Sequence, residues 1–132
     1  MPAKILVVDD EPSVLAVVSR ALRDEGHEVI AVSNGQTAYD VTLNEAVDVV
    51  VTNTRMPGLN GAELVTALRR HLPGIPILHL DDLAQATHSL FQLPADVPTL
   101  LKPFDLVALK AAVRRLLRPP PPTQTDFATA AL

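Results

Sequence analysis

Short apolar runs at residues 4–8, 28–32, 47–52, 76–80 and 97–101 alternate along this chain with longer stretches whose apolar positions recur at helical spacing. Runs this short suit strands, and the alternation predicts five strand–helix units. The first and third runs are apolar at nearly every position, the signature of central parallel strands covered on both faces. Pro98 falls inside the fifth run, and its missing amide proton is best tolerated at a sheet edge. The expected fold is α/β, a five-stranded parallel sheet in the order 2-1-3-4-5 with helices on both faces.

Punctuation between the runs sharpens the helices. Pro12 suits a first helical turn, Val14, Leu15, Val18, Ala21 and Leu22 mark the inward stripe, and Gly26 stops the helix. The second helix starts near Ser33 and Asn34, either of which can cap it, and reaches about Glu45. The third turns Leu64, Val65, Leu68 and Leu72 inward and ends before Pro73. A short fourth helix is expected over about Leu83 to Leu93, stopped by Pro94. The fifth begins after Asp105 as N-cap and carries Leu106, Leu109, Val113, Leu116 and Leu117 inward. Four prolines at 119–122 forbid any continuation of that helix. The chain thus divides into a folded domain over 1–118 and a Pro-rich tail over 119–132, expected to be disordered or else to have led to an output domain.

Composition narrows the class. With 132 residues, of which 48% are hydrophobic, the chain suits one domain with one ordinary core. A formal charge of −4 argues against direct nucleic-acid binding, which depends on clustered Lys and Arg. The absence of cysteine excludes disulfides, thiolate catalysis and Cys-ligated zinc. No signal-like stretch follows Met1 and no apolar run approaches the roughly 18 residues of a membrane span, so a soluble cytoplasmic protein is expected.

In an open parallel sheet, functional groups gather at the carboxyl ends of the strands, beside the switch in strand order. Asp9, Asp10, Asn53, Asp81 and Lys102 fall there. The first strand runs into Asp9-Asp10-Glu11-Pro12 instead of a glycine-rich turn, which disfavours dinucleotide binding. Taken alone, these acids could equally solvate a loop or favour the start of a helix through its dipole.

Three motifs occur in order: Lys4-Ile5-Leu6-Val7-Val8-Asp9-Asp10-Glu11-Pro12, then Asn53-Thr54-Arg55-Met56-Pro57-Gly58, then Lys102-Pro103-Phe104. With them the chain resembles the receiver domain of bacterial two-component response regulators, a flavodoxin-like fold, from about Lys4 to Arg118. The resemblance implies that Asp9 and Asp10 form an acidic pair for Mg²⁺, that the backbone carbonyl of Arg55 is a further ligand, and that position 53 is the phosphoacceptor. It also implies that Lys102 enters the pocket beside a cis proline.

This chain departs from the family pattern at three places. Asn53 stands where a nucleophilic aspartate belongs, and a neutral carboxamide fits the same space without being an effective nucleophile. Its loss removes one carboxylate from the Mg²⁺ site, leaving that site weak or absent. Asp81 stands where the family has a hydroxyl, and Thr99 where it has an aromatic, so both switch positions are altered. A carboxylate relocated to strand 4 could pair with Lys102 and lock the pocket, whereas Asp81 and Asp82 could instead simply start the next helix.

The reading is a degenerate receiver, or pseudo-receiver, that is no enzyme and binds a protein partner or a second copy through the fourth helix, fifth strand and fifth helix. The alternative is an active phosphorelay receiver with Mg²⁺ at Asp9 and Asp10 and a non-standard acceptor such as Asp81. An engineered Asn53 is a third option, which independent changes at Asp81 and Thr99 disfavour. Elsewhere, His79 lies among apolar neighbours as a hydrogen-bonded core residue, and His27, His71 and His88 lack metal-ligand spacing. Lys110, Arg114 and Arg118 form a basic stripe, normally a solvated face, for which Asp82 or Asp96 are candidate counterparts.

Overall fold

Strands β1 (Lys4–Val8), β2 (Glu28–Val32), β3 (Val49–Asn53), β4 (Ile77–Asp82) and β5 (Thr99–Lys102) form one parallel sheet ordered β2-β1-β3-β4-β5 in the computed structural model, which describes residues 2–54, 56, 58–82 and 93–118. The predicted order is therefore the observed one. Ile5, Leu6, Val7 and Val8 of β1 and Val49, Val50 and Val51 of β3 are all 0% exposed, as two-sided burial requires. β5, the edge strand that follows Pro98, alternates between exposed and half-buried positions.

Side-chain alternation along the strands divides the core into two layers. On one face Ile5, Val7, Val49, Val51, Leu78 and Leu80 pack against α1 (Pro12–Asp24) and α4 (Leu106–Leu117), through Val18, Leu22, Leu109 and Val113. On the other, Leu6, Val8, Val50 and Ile77 meet α2 (Gly35–Asn44) and α3 (Gly61–His71), through Ala38, Leu64, Val65 and Leu68. Here α4 is the fifth helix expected from the sequence. The helix expected near 83–93 and the tail at 119–132 lie outside the described residues, apart from Leu93.

The caps follow local chemistry. Pro12 occupies the first turn of α1, and Gly26, at φ 92°, follows its end in a conformation that other residues resist. Asn34 accepts from the Thr37 amide at 2.8 Å, and Asp105 from the Ala108 amide at 2.6 Å. Asn60 and Glu63 make a reciprocal capping box that starts α3. Leu106, expected to face inward, is 38% exposed instead, because it directly follows the cap and the helix has not yet turned its stripe onto the sheet.

The basic stripe of α4 has a counterpart that sequence position did not suggest. Arg114 grips Glu25, just past α1, with nitrogen–oxygen distances of 2.8 and 2.9 Å, and Lys110 lies 3.9 Å from the same carboxylate. The Arg114 hydrogen bond holds the Glu25 carboxyl below its ordinary range. Asp96, offered as a counterpart, pairs with Arg69 at 2.9 Å. The side chain of Asp82 is outside the description.

Among the described residues no helix is long and apolar enough to cross a membrane. Gly61, the first residue of α3, donates its amide to the Thr54 carbonyl at 2.9 Å, and a Cβ there would collide with the backbone carbonyl of Asn53. Gly61→Ala is expected to destabilise the domain by about 1–3 kcal/mol, the usual cost of overpacking. Urea unfolding should show this loss, while Gly74→Ala, where nothing lies within 4 Å of the added atom, should change little.

Candidate functional site

Parallel pairing delivers every strand's carboxyl end to one edge, and register decides which residues meet there. Val8 pairs with Thr52, so the next residues, Asp9 and Asn53, leave their strands side by side. Asp82 pairs with Lys102, which ends β5 at the same edge and precedes a cis bond to Pro103. Asp9, Asn53 and Lys102 therefore converge from three strands, and Asp10 joins them from the loop after β1.

One carboxamide connects the group. Asn53 Nδ2 donates to Asp10 Oδ1 at 3.3 Å and, more weakly, to Asp9 Oδ1 at 3.5 Å. Its Oδ1 accepts from Lys102 Nζ at 3.1 Å, while the same ammonium reaches Asp9 Oδ2 at 3.3 Å. The neighbours dictate this amide orientation, because carboxylates only accept and an ammonium only donates. The Asp9 side chain is 0% exposed and that of Lys102 13%. Burial raises the Asp9 carboxyl above its ordinary range, against the Glu11 amide, which donates at 2.9 Å, and the Lys102 charge.

The remaining site residues are placed less uniformly. Asp81 is 5% exposed and pairs in the sheet with Leu101. Lys102 makes an ion pair with Asp9 at 3.3 Å. Its long side chain reaches back from β5, past β4, to the β1–β3 junction. Thr99 lies exposed on the edge strand, in register with His79. Arg55 lies outside the described residues.

Sequence reasoning missed Thr54. Its hydroxyl donates to the Leu80 carbonyl at 2.9 Å and lies 3.0 Å from His79 Nε2. With its one proton committed to the carbonyl, the hydroxyl accepts from His79, which fixes the Nε2–H tautomer. The residue after a strand end carried no signal for this bond. His79 Nδ1 is buried without a hydrogen-bond partner among the described residues. Burial lowers the His79 pKa from its ordinary value, with the nearby charge of Asp81 opposing the shift.

Receiver-type acidic edges generally hold Mg²⁺ through oxygen ligands. Here Asp9 and Asp10 are the carboxylates that would do so, but Asn53 Nδ2 already donates to both, and both Asp9 oxygens are hydrogen-bonded. Among the described residues no group of three His, Asp or Glu side chains is arranged to hold a metal ion. Asp9 and Asp10 are thus compatible with a bound Mg²⁺, with Asn53 Nδ2 competing for the same oxygens.

The comparisons with known proteins agree with this architecture. The sequence model of the response regulator receiver domain matches residues 5–114, and the chain belongs to that family. It is 38% identical over 125 residues to the transcriptional regulatory protein TcrA of Mycobacterium tuberculosis, a match covering 91% of this chain and 49% of that protein. It is 37% identical over 119 residues to the response regulator MprA of a Mycobacterium species, covering 89% of this chain and 52% of the relative. The chain thus spans about half the length of these curated relatives. A crystal structure of a response regulator receiver protein from Sinorhizobium medicae superposes with a TM-score of 0.76 at 31% identity, covering 88% of this chain and 94% of that one.

The His79 shift sets a direction for acid stability. An imidazole whose folded pKa is depressed contributes stability fully present above its unfolded value near 6.5 and lost as pH falls through that value toward the folded one. Urea unfolding at pH 7.5 and 5.5 is expected to show a larger acid-side loss for the native chain than for His79→Met.

Proposed function

We propose that this chain is a two-component signalling module of the pseudo-receiver kind, acting in the cytoplasm through protein contacts and independently of phosphorylation at position 53. It catalyses no reaction of its own. One observation carries the reading: the side chain in the acceptor place is a carboxamide whose two ends are engaged by Asp10, Asp9 and Lys102. Phosphoryl transfer to a side chain needs an anionic oxygen free to attack, with cations neutralising the transferred group. Asn53 offers neither the charge nor an uncommitted oxygen, and it gives Lys102 the oxygen contact that an aspartate would.

The alternative acceptor is Asp81, 5% exposed near the end of β4. The proposed contact surface includes β5 and α4, where Leu101 is 40% and Val107 77% exposed. Exposed apolar side chains of this kind suit a protein partner or a second copy of the chain. In this reading the substitutions at 53, 81 and 99 hold one member of a conformational equilibrium, and the partner recognises that member without a phosphoryl signal.

Intact-protein mass after incubation with acetyl phosphate and Mg²⁺ tests the reading. The native chain is expected to stay unmodified while Asn53→Asp gains one phosphoryl group; an adduct on the native chain overturns the proposal. Restoring the carboxylate should also raise Mg²⁺ affinity by about tenfold or more, since one added charge contact of about 1.4 kcal/mol gives that ratio. Calorimetric titration of both proteins measures it.

A further inference from the structure

The carboxamide of Asn53 has one oxygen where a carboxylate has two, and that oxygen faces Lys102 Nζ at 3.1 Å. Its nitrogen faces the acidic pair, 3.3 Å from Asp10 Oδ1 and 3.5 Å from Asp9 Oδ1. The ammonium also donates to Asp9 Oδ2 at 3.3 Å, so among the described residues both hydrogen-bond partners of Lys102 belong to this edge. Asp10 and Glu11 stand exposed beside it, a field that draws cations.

A divalent cation of the Mg²⁺ kind takes oxygen ligands, and Asp9 and Asp10 are the carboxylates that can supply them. The Nδ2 hydrogens of Asn53 point at those same carboxylates and carry partial positive charge, so the present amide orientation opposes a cation there. Asn53 is 7% exposed, and its side chain stays within the site. A half-turn about its last side-chain bond, a torsion of roughly two-fold preference, exchanges oxygen and nitrogen in the same space. That turn offers Oδ1 to the cation and sets Nδ2 against Lys102 Nζ, a donor facing a donor. An aspartate faces no such choice, because one oxygen can serve the cation while the other keeps the lysine.

We infer that Asn53 is a switch thrown by a divalent cation: with the cation on Asp9 and Asp10, the carboxamide turns over, presents Oδ1 to it and gives up Lys102. The inference rests on the reading that position 53 takes no phosphoryl group, and it provides that reading with an input. Lys102 loses the Asn53 bond and shares Asp9 with a stronger positive charge, so its ammonium leaves the edge. It ends β5 and leads through Pro103 and Phe104 into α4, between the exposed Leu101 and Val107 of the proposed contact surface. The state of one amide at the polar edge thereby reaches that surface.

Magnesium chloride titrated into ¹⁵N-labelled full chain tests this by NMR, with sodium chloride at matched ionic strength as control and no phosphodonor present. The Asn53 side-chain NH₂ and the backbone amides of Lys102, Phe104 and Leu106 are expected to shift saturably with one midpoint. Over the same range the Lys102 ammonium signal, protected from solvent exchange while bonded, should be lost. Asn53→Asp should bind Mg²⁺ more tightly yet keep that ammonium signal at saturation, since its second oxygen still holds the lysine. Saturable shifts at the Asp9 and Asp10 amides with the Asn53 NH₂ and Lys102 ammonium unmoved overturn the inference, as does indifference to Mg²⁺ altogether. Equal loss of the ammonium signal in both proteins overturns it too, because the carboxamide is then not the cause. The two readings fail separately: an acetyl phosphate adduct on the native chain overturns the phosphate-independent role by mass, and the Mg²⁺ titration overturns the switch without a phosphodonor.

Discussion

The register between β1 and β3 sets where Asp9 and Asn53, the centre of the site, stand. Val8 against Thr52 makes Asp9 and Asn53 neighbours at the point where two fully buried strands run out. Neither strand can carry a polar side chain within its span without desolvating it, so the chemistry is pushed to the edge. A shift by one residue would turn Asp9 into the apolar layer and a valine onto the edge, and two separate cores oppose such a shift.

At that edge the balance of charge is set by a neutral residue. Asp9 and Asp10 bring two carboxylates, Lys102 one ammonium, and Asn53 mediates between them as donor on one side and acceptor on the other. A buried carboxylate such as Asp9 is tolerated only with partners, and the Glu11 amide, Lys102 and Asn53 provide them. An aspartate at 53 would have set three like charges against one lysine, a repulsion that a cation relieves. The carboxamide relieves it from within the chain, which is why the site closes on itself.

Much of this arrangement was legible before the structure. Apolar runs gave strand order because parallel burial leaves a compositional mark, and Pro12, Asn34 and Asp105 gave helix starts because caps are local. The Asn60–Glu63 box was equally local and could have been read from its spacing. What could not be read depended on through-space geometry: the Lys102–Asp9 ion pair, the Thr54–His79 bond, and Glu25 as counterpart of Arg114. Each joins residues far apart in sequence, and none alters the pattern of apolar positions. The exposure of Leu106 belongs here too, since helical period alone does not say where around the axis a helix begins to bury its stripe.

The clasp between Glu25 and Arg114 joins positions 89 residues apart. Helix α1 forms early in the chain, yet the helix that shares its face of the sheet is the last described element to emerge from a ribosome. During synthesis Val18 and Leu22 of α1, with Val7 and Val51 behind them, must wait uncovered on one side until α4 arrives. Completing this face of the sheet is therefore a joining of distant parts of the domain rather than a growth from one of them.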